Sequence, residues 1–176
     1  MTPFTYRQTE NIFKAEDNLG FYCFNEFTIL DDNLTHLTSS EIVDKVFKSE
    51  FFADRFIAPP GRIKKTPLNE HGPLLIDKLE FEDYSLNDLD SLKKKVAIYE
   101  MDENWGDDLR PFKALFAESI DHIEKKRLNE NPIYYLNQEE IDDSKKIGLN
   151  YFTYFISLII ISLQTNKIIL IDYGGD

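Results

Sequence analysis

The strongest constraint on this chain lies at its end, in residues 149–176. There Tyr151, Phe152, Tyr154, Phe155 and Ile156, then Leu158, Ile159, Ile160, Ile161 and Leu163, form the most apolar run of the sequence. After the polar break Gln164, Thr165, Asn166, Lys167 comes a second run, Ile168, Ile169, Leu170, Ile171. β-Branched and aromatic runs joined by a short polar turn predict a β-hairpin. Apolar side chains on successive residues point to both faces of a strand, so the hairpin is expected in the middle of a sheet covered on both sides. The first run is shorter than the ~20 residues a helix needs to cross a bilayer, and no membrane association is expected.

A chain of 176 residues is expected to make one domain, spanning 1–176, with its own core. The hydrophobic share of 42% and the 14 Phe and 9 Tyr exceed what a disordered chain carries. The single cysteine, Cys23, stands among Phe21, Tyr22 and Phe24 and reads as a buried thiol. The first ten residues lack a basic region followed by an apolar run, which predicts a cytoplasmic protein.

Along the chain, residues 1–19 are polar with one adjacent apolar pair, Ile12 and Phe13, and an irregular lead-in or short helix is expected. Residues 20–30 read as a strand or two short ones, ended by Asp31, Asp32 and Asn33. Thr38 and Glu41 have capping-box spacing. The helix they open, near 40–53, buries Ile42, Val43, Val46, Phe47 and Phe51 and turns Asp44, Lys45 and Lys48 outward. Residues 56–73 carry Pro59, Pro60, Gly61, Pro67, Gly72 and Pro73 and read as a loop, with Arg62, Lys64 and Lys65 as a solvated basic cluster. Residues 74–84 read as a strand. A short helical turn through Leu86, Leu89 and Leu92 is expected next, then a strand through Val96, Ile98, Tyr99 and Met101. Pro111 fits the first position of a second main helix, over 111–127, with Phe112, Leu115, Phe116, Ile120 and Ile123 inward. A short strand at 133–136 and a short acidic helix at 138–146 complete the series. The class is α+β: an antiparallel or mixed sheet ending in the C-terminal hairpin, with two main helices packed on it. Strand order is not readable from this pattern.

Catalytic and ligand motifs are missing. His36 and His71 fall in polar turns and His122 on the long helix, so all three read as surface residues outside any nucleophile–base pattern. No glycine-rich phosphate loop and no paired metal spacing is present. The loop Asp102, Glu103, Asn104, Trp105, Gly106, Asp107, Asp108 fails as a calcium loop, because its glycine falls at the fifth position and Lys113 stands where a closing acid belongs. The chain is expected to hold no metal and no cofactor and to have no catalytic residues.

What remains is charge. The 32 acidic and 20 basic residues leave a formal net charge of −12, which repels nucleic acid and favours encounter with a cationic partner. The acids gather at 80–83, 102–108 and 139–143. Trp105 with Asp102, Glu103, Asp107 and Asp108 is the first candidate contact, an aromatic anchor ringed by carboxylates; Glu139, Glu140, Asp142 and Asp143 are the second. A compact acidic chain with Phe- and Tyr-rich strands, closed by YFTYFISLIIISLQTNKIILIDYGGD, resembles the immunity proteins of bacterial toxin–immunity pairs. The resemblance is one of overall style and carries over no functional residue. It implies a stoichiometric inhibitor that neutralises a basic protein partner, a toxin and often a nuclease, by covering its active site. The alternative from another class is a small-molecule-binding protein or hydrolase with a carboxylate-lined pocket.

Overall fold

The computed structural model describes residues 2–16, 20–53, 69–101, 109–147 and 153–175. Its centre is the expected hairpin: β7 (Tyr154–Ser162) and β8 (Lys167–Gly175) pair antiparallel from Tyr154 opposite Gly175 to Ser162 opposite Lys167. Asn166, with φ 55°, makes the tight turn, and its side chain ties the turn to the carbonyls of Ile29 and Asp32. Asn is among the few residues that take a left-handed backbone at low cost.

Around this hairpin the sheet is antiparallel throughout, in the order β1 (Tyr6–Glu16), β2 (Gly20–Ile29), β8, β7, β6 (Ile133–Asn137), β5 (Ser85–Asn87). Both faces are covered, which is why the two central strands are apolar on successive residues. On one face Phe155, Ile159, Ile161, Ile168 and Leu170 pack beneath α1 (Ser39–Lys48), Phe52 and Leu74. On the other, Ile156, Leu158, Ile160, Ile169, Ile171 and Tyr173 meet α2 (Leu89–Tyr99) and α3 (Leu109–Lys125). The α+β class with a C-terminal hairpin holds, and Cys23 is buried as expected.

α1 begins at the expected capping box: the Thr38 hydroxyl accepts from the Glu41 amide, and the Glu41 carboxylate accepts from the Thr38 amide. Ile42, Val43, Val46 and Phe47 face the core, but the helix ends at Lys48 rather than near 53, and Phe51 lies in the following turn, half-buried. Lys45 does not point outward: it is buried, paired with Asp32, and its ammonium lies 4.9 Å from the centre of the Phe4 ring. In α3 the expected stripe is buried, and the helix starts two residues before Pro111, which sits in the first turn where its missing N–H costs nothing. Arg127, at φ 56°, ends the following turn in a left-handed conformation.

Four expectations are corrected. The start of the chain is neither irregular nor helical but the long edge strand β1, polar because one of its faces and its outer edge meet water. Residues 74–84 hold a two-residue strand, β4 (Leu74–Leu75), paired with β3 (Glu70–His71), and 3-10 turns at 76–78 and 81–83 rather than one strand. Leu86 lies in strand β5 rather than in a helical turn, and the expected strand through Val96, Ile98 and Tyr99 is instead part of helix α2, whose Leu89, Leu92 and Val96 bury at helical spacing after the Asp88 cap. The 138–146 segment is two 3-10 turns, Gln138–Glu140 and Asp143–Lys145, not an α-helix. Arg62, Lys64 and Lys65 lie outside the described residues. No helix among the described residues is long and apolar enough to cross a membrane.

Candidate functional site

Of the predicted contact residues, Asp102, Glu103, Trp105, Asp107 and Asp108 lie outside the described residues. Glu139, Glu140, Asp142 and Asp143 are described and exposed. They stand on a surface ridge built by local backbone chemistry just past the C-terminal end of β6. Asn137, the last residue of β6, accepts the Glu139 amide at 3.1 Å and so caps the 138–140 turn. Ile141, 7% exposed, pins the link between the two turns to the core. Asp142 then accepts from the Ser144 hydroxyl and from the Ser144 amide at 2.8 Å, which holds its carboxyl below the usual range. Each of these side chains that caps a turn is thereby held in one position.

The 81–83 turn joins the same ridge. Asp83 accepts the Glu80 amide at 2.8 Å, and Lys145 reaches across to Glu80 at 3.0 Å and Asp83 at 2.8 Å. The Asp83 hydrogen bond is the main reason that Lys145 holds its proton above the ordinary lysine range; burial opposes it and Glu80 adds to it. Lys146 pairs with Asp143, and Lys78 donates to the Ser144 carbonyl. The 80–83 turn, with Glu80, Glu82 and Asp83, is thus clasped to the segment carrying Glu139, Glu140, Asp142 and Asp143, and these carboxylates outnumber Lys78, Lys145 and Lys146. A third element meets this ridge: the Tyr99 hydroxyl at the end of α2 donates to Glu139, and burial followed by the Glu139 charge drives its pKa upward. Two residues later Met101, 80% exposed, is the last described residue before the 102–108 segment. Leu86 on β5 and Ile98 on α2 are also exposed, at 65% and 71%.

A second concentration of charge lies at the opposite end of the sheet strands. Glu26 on β2 is almost buried and accepts from Lys167 at 2.7 Å, Lys126 at 3.0 Å and Thr9 at 2.8 Å. Burial pushes its carboxyl up, but these three donors together outweigh burial and hold it at about 2. Beside it is an open depression of about 380 Å³ lined by Lys126, Arg127, Glu130, Ser162, Gln164 and Lys167, among others. A carboxylate with both oxygens already engaged by ammonium groups has little basicity left for proton transfer. Glu26 is therefore not the poised carboxylate that the pocket alternative requires.

The histidines depart furthest from expectation. His36 is exposed, but His122 is half-buried with its ring edge-on to Phe24 and 3.6 Å from Glu10. His71 is no surface residue: it is 3% exposed and sits against Ser157, Asp172 and the Phe52 carbonyl. The sequence did hold a signal for this, since Ser157 and Asp172 are the polar interruptions within the two apolar strands and pair directly across the hairpin. Among the described residues no group of three or more His, Cys, Asp or Glu side chains is arranged to hold a metal ion. No family model, curated protein or solved structure matches this chain.

Proposed function

We propose that this chain is an acidic binding protein that neutralises a basic protein partner, most concretely an immunity protein that inhibits a cognate bacterial toxin by covering its active site. The observation that carries the reading is the ridge of 80–83 and 139–143, where seven carboxylates are mounted on capped turns and only partly offset by lysines. Such a surface attracts a cationic partner over the distance of a Debye length and speeds encounter. Because the turns are already fixed by their caps, little ordering is required when the partner docks. Tyr99 at the end of α2 donates to Glu139 on this ridge, and Trp105 with Asp102, Glu103, Asp107 and Asp108 is kept as the candidate aromatic anchor that slows release. A nuclease toxin fits this reading, because an anionic surface would occupy its phosphate-binding groups.

The test is co-expression with a toxin encoded beside this gene, scored by growth, followed by titration calorimetry of the purified pair at two salt concentrations. Rescue with a one-to-one complex that weakens as salt rises is expected. The triple substitution Glu139→Lys, Glu140→Lys, Asp142→Lys should slow association at least tenfold, and Trp105→Ala should speed dissociation. Undiminished rescue and affinity in both variants would remove the ridge and the 102–108 segment from the interface.

A further inference from the structure

Four polar side chains meet inside the otherwise apolar layer beneath α1. His71 is 3% exposed, Ser157 0%, Tyr84 4% and Asp172 8%. The His71 ring stacks on Phe52, centroids 3.9 Å apart, and meets Phe155 edge-on. Its Nδ1 lies 2.9 Å from the Phe52 carbonyl oxygen, its Nε2 2.9 Å from Ser157 Oγ and 3.1 Å from Asp172 Oδ1. The Tyr84 hydroxyl donates to Ser157 Oγ at 3.2 Å.

The hydrogen-bonding roles follow from which atoms are able to donate. A carbonyl only accepts, so Nδ1 carries a proton. If His71 were neutral, its Nε2 lone pair would face the Asp172 carboxylate at 3.1 Å, and Oδ1, which is buried, would accept from no described group. An unsatisfied buried carboxylate oxygen is costly, and lone pairs of a base and an anion repel at that distance. A second proton on Nε2 removes both penalties at once. Among the described residues, the other groups that face the pair do not do so. Cys23 on β2, across from Asp172, is a thiol and a weak donor. Tyr84 is turned to Ser157, and Asp83 beyond it adds negative charge that Lys145 neutralises.

We propose that His71 and Asp172 form a buried imidazolium–carboxylate pair that acts as a pH-released latch, fastening the β3–β4 hairpin and the Phe52 backbone to the two central strands. His71 reaches from the β3–β4 hairpin to Asp172 on β8 and Ser157 on β7, so the proton joins two hairpins whose contacting residues His71 and Ser157 are 86 positions apart. The sign of the pH dependence follows. The folded state holds a proton that the unfolded histidine gives up near pH 6.5. The latch is fully closed below that pH and opens progressively as pH rises toward the value at which folded His71 releases its proton. The inference does not depend on what the acidic ridge binds.

Long-range nitrogen–proton spectra of the histidine rings in the intact chain, from pH 5 to 10, test it directly. Both His71 nitrogens are expected to remain protonated at pH 7.5, a unit above the free-histidine midpoint. Above pH 6.5, hydrogen exchange at residues 70–75, corrected for its intrinsic base catalysis, should speed up by about tenfold per pH unit until the folded ring titrates. In Asp172→Asn the second proton should be absent at pH 7.5 and the excess pH dependence lost. If that variant does not fold, the wild-type ring spectrum decides alone. An unprotonated Nε2 at pH 6 in the wild type would reduce the cluster to a neutral serine–histidine hydrogen bond and overturn the latch.

Discussion

Single residues set the acid stability of this fold. Glu26 is the clearest case, because burial raises its pKa while Lys167, Thr9 and Lys126 lower it more, leaving it at about 2. A carboxyl depressed on folding contributes stability that is present above its unfolded value, about 4.3, and is lost as pH falls through the folded value. Over that window the contribution is on the order of 3 kcal/mol for a nearly buried group. Glu26→Gln should therefore be less stable at pH 7, since Lys126 and Lys167 lose their shared counter-charge, and should show a shallower stability loss between pH 4.5 and 2. Urea denaturation across that range measures it, and an unchanged acid slope would mean that another carboxylate governs. None of this was legible beforehand. Glu26 stands in a run of aromatic residues with its lysines 100 and 141 positions away, and local spacing says nothing about partners at that separation. Lys45 was misread for the same reason, because helical periodicity put it outside while Asp32 and Phe4 drew it in.

At the scale of elements, what the sequence disclosed were those with local chemistry strong enough to stand alone. The α1 capping box was readable from Thr38 and Glu41, and Thr38→Ala should cost about 1 kcal/mol, seen as a lower urea midpoint with an unchanged slope. A null result would mean that packing of Ile42, Val43 and Val46 holds the helix without its cap. α3 was readable because its apolar stripe, Phe112 to Ile123, repeats over about three turns. β1 was not, since an edge strand with water on one face carries Arg7, Glu10 and Lys14 in place of alternating apolar residues, and its strand character comes from pairing with β2. α2 was missed because β-branched Val96 and Ile98 suggested a strand, although Leu89, Leu92 and Val96 keep helical spacing. The acidic ridge shows the same division. Its residues were visible as charge runs, but the clasp of Lys145 on Glu80 and Asp83 brings together positions more than sixty residues apart.

For the whole molecule, the arrangement is a sheet with two cores, and its weakest tolerance is at the centre. Ile160 is 0% exposed on β7, facing α2 and α3. Ile160→Asp would bury a carboxylate with no partner in that core and should cost about 4 kcal/mol or more, enough to abolish a cooperative melt. The triple lysine substitution on the ridge removes the Asp142 cap and the Glu139 acceptor of Tyr99 and should cost about 2 kcal/mol, well short of unfolding the domain. Thermal melts of the two proteins side by side check this division, and equal collapse would refute it. By itself the sequence determined the class, the central hairpin and two of the helices, because burial on both faces of a strand and one-sided burial of a helix leave their periods in the residue order. Only the tertiary structure decided the strand order, the polar edge strand, the charge clasp and the buried meeting of His71, Ser157 and Asp172. Those depend on contacts between segments distant along the chain, and a polar residue looks the same in the sequence whether its partner is water or another side chain.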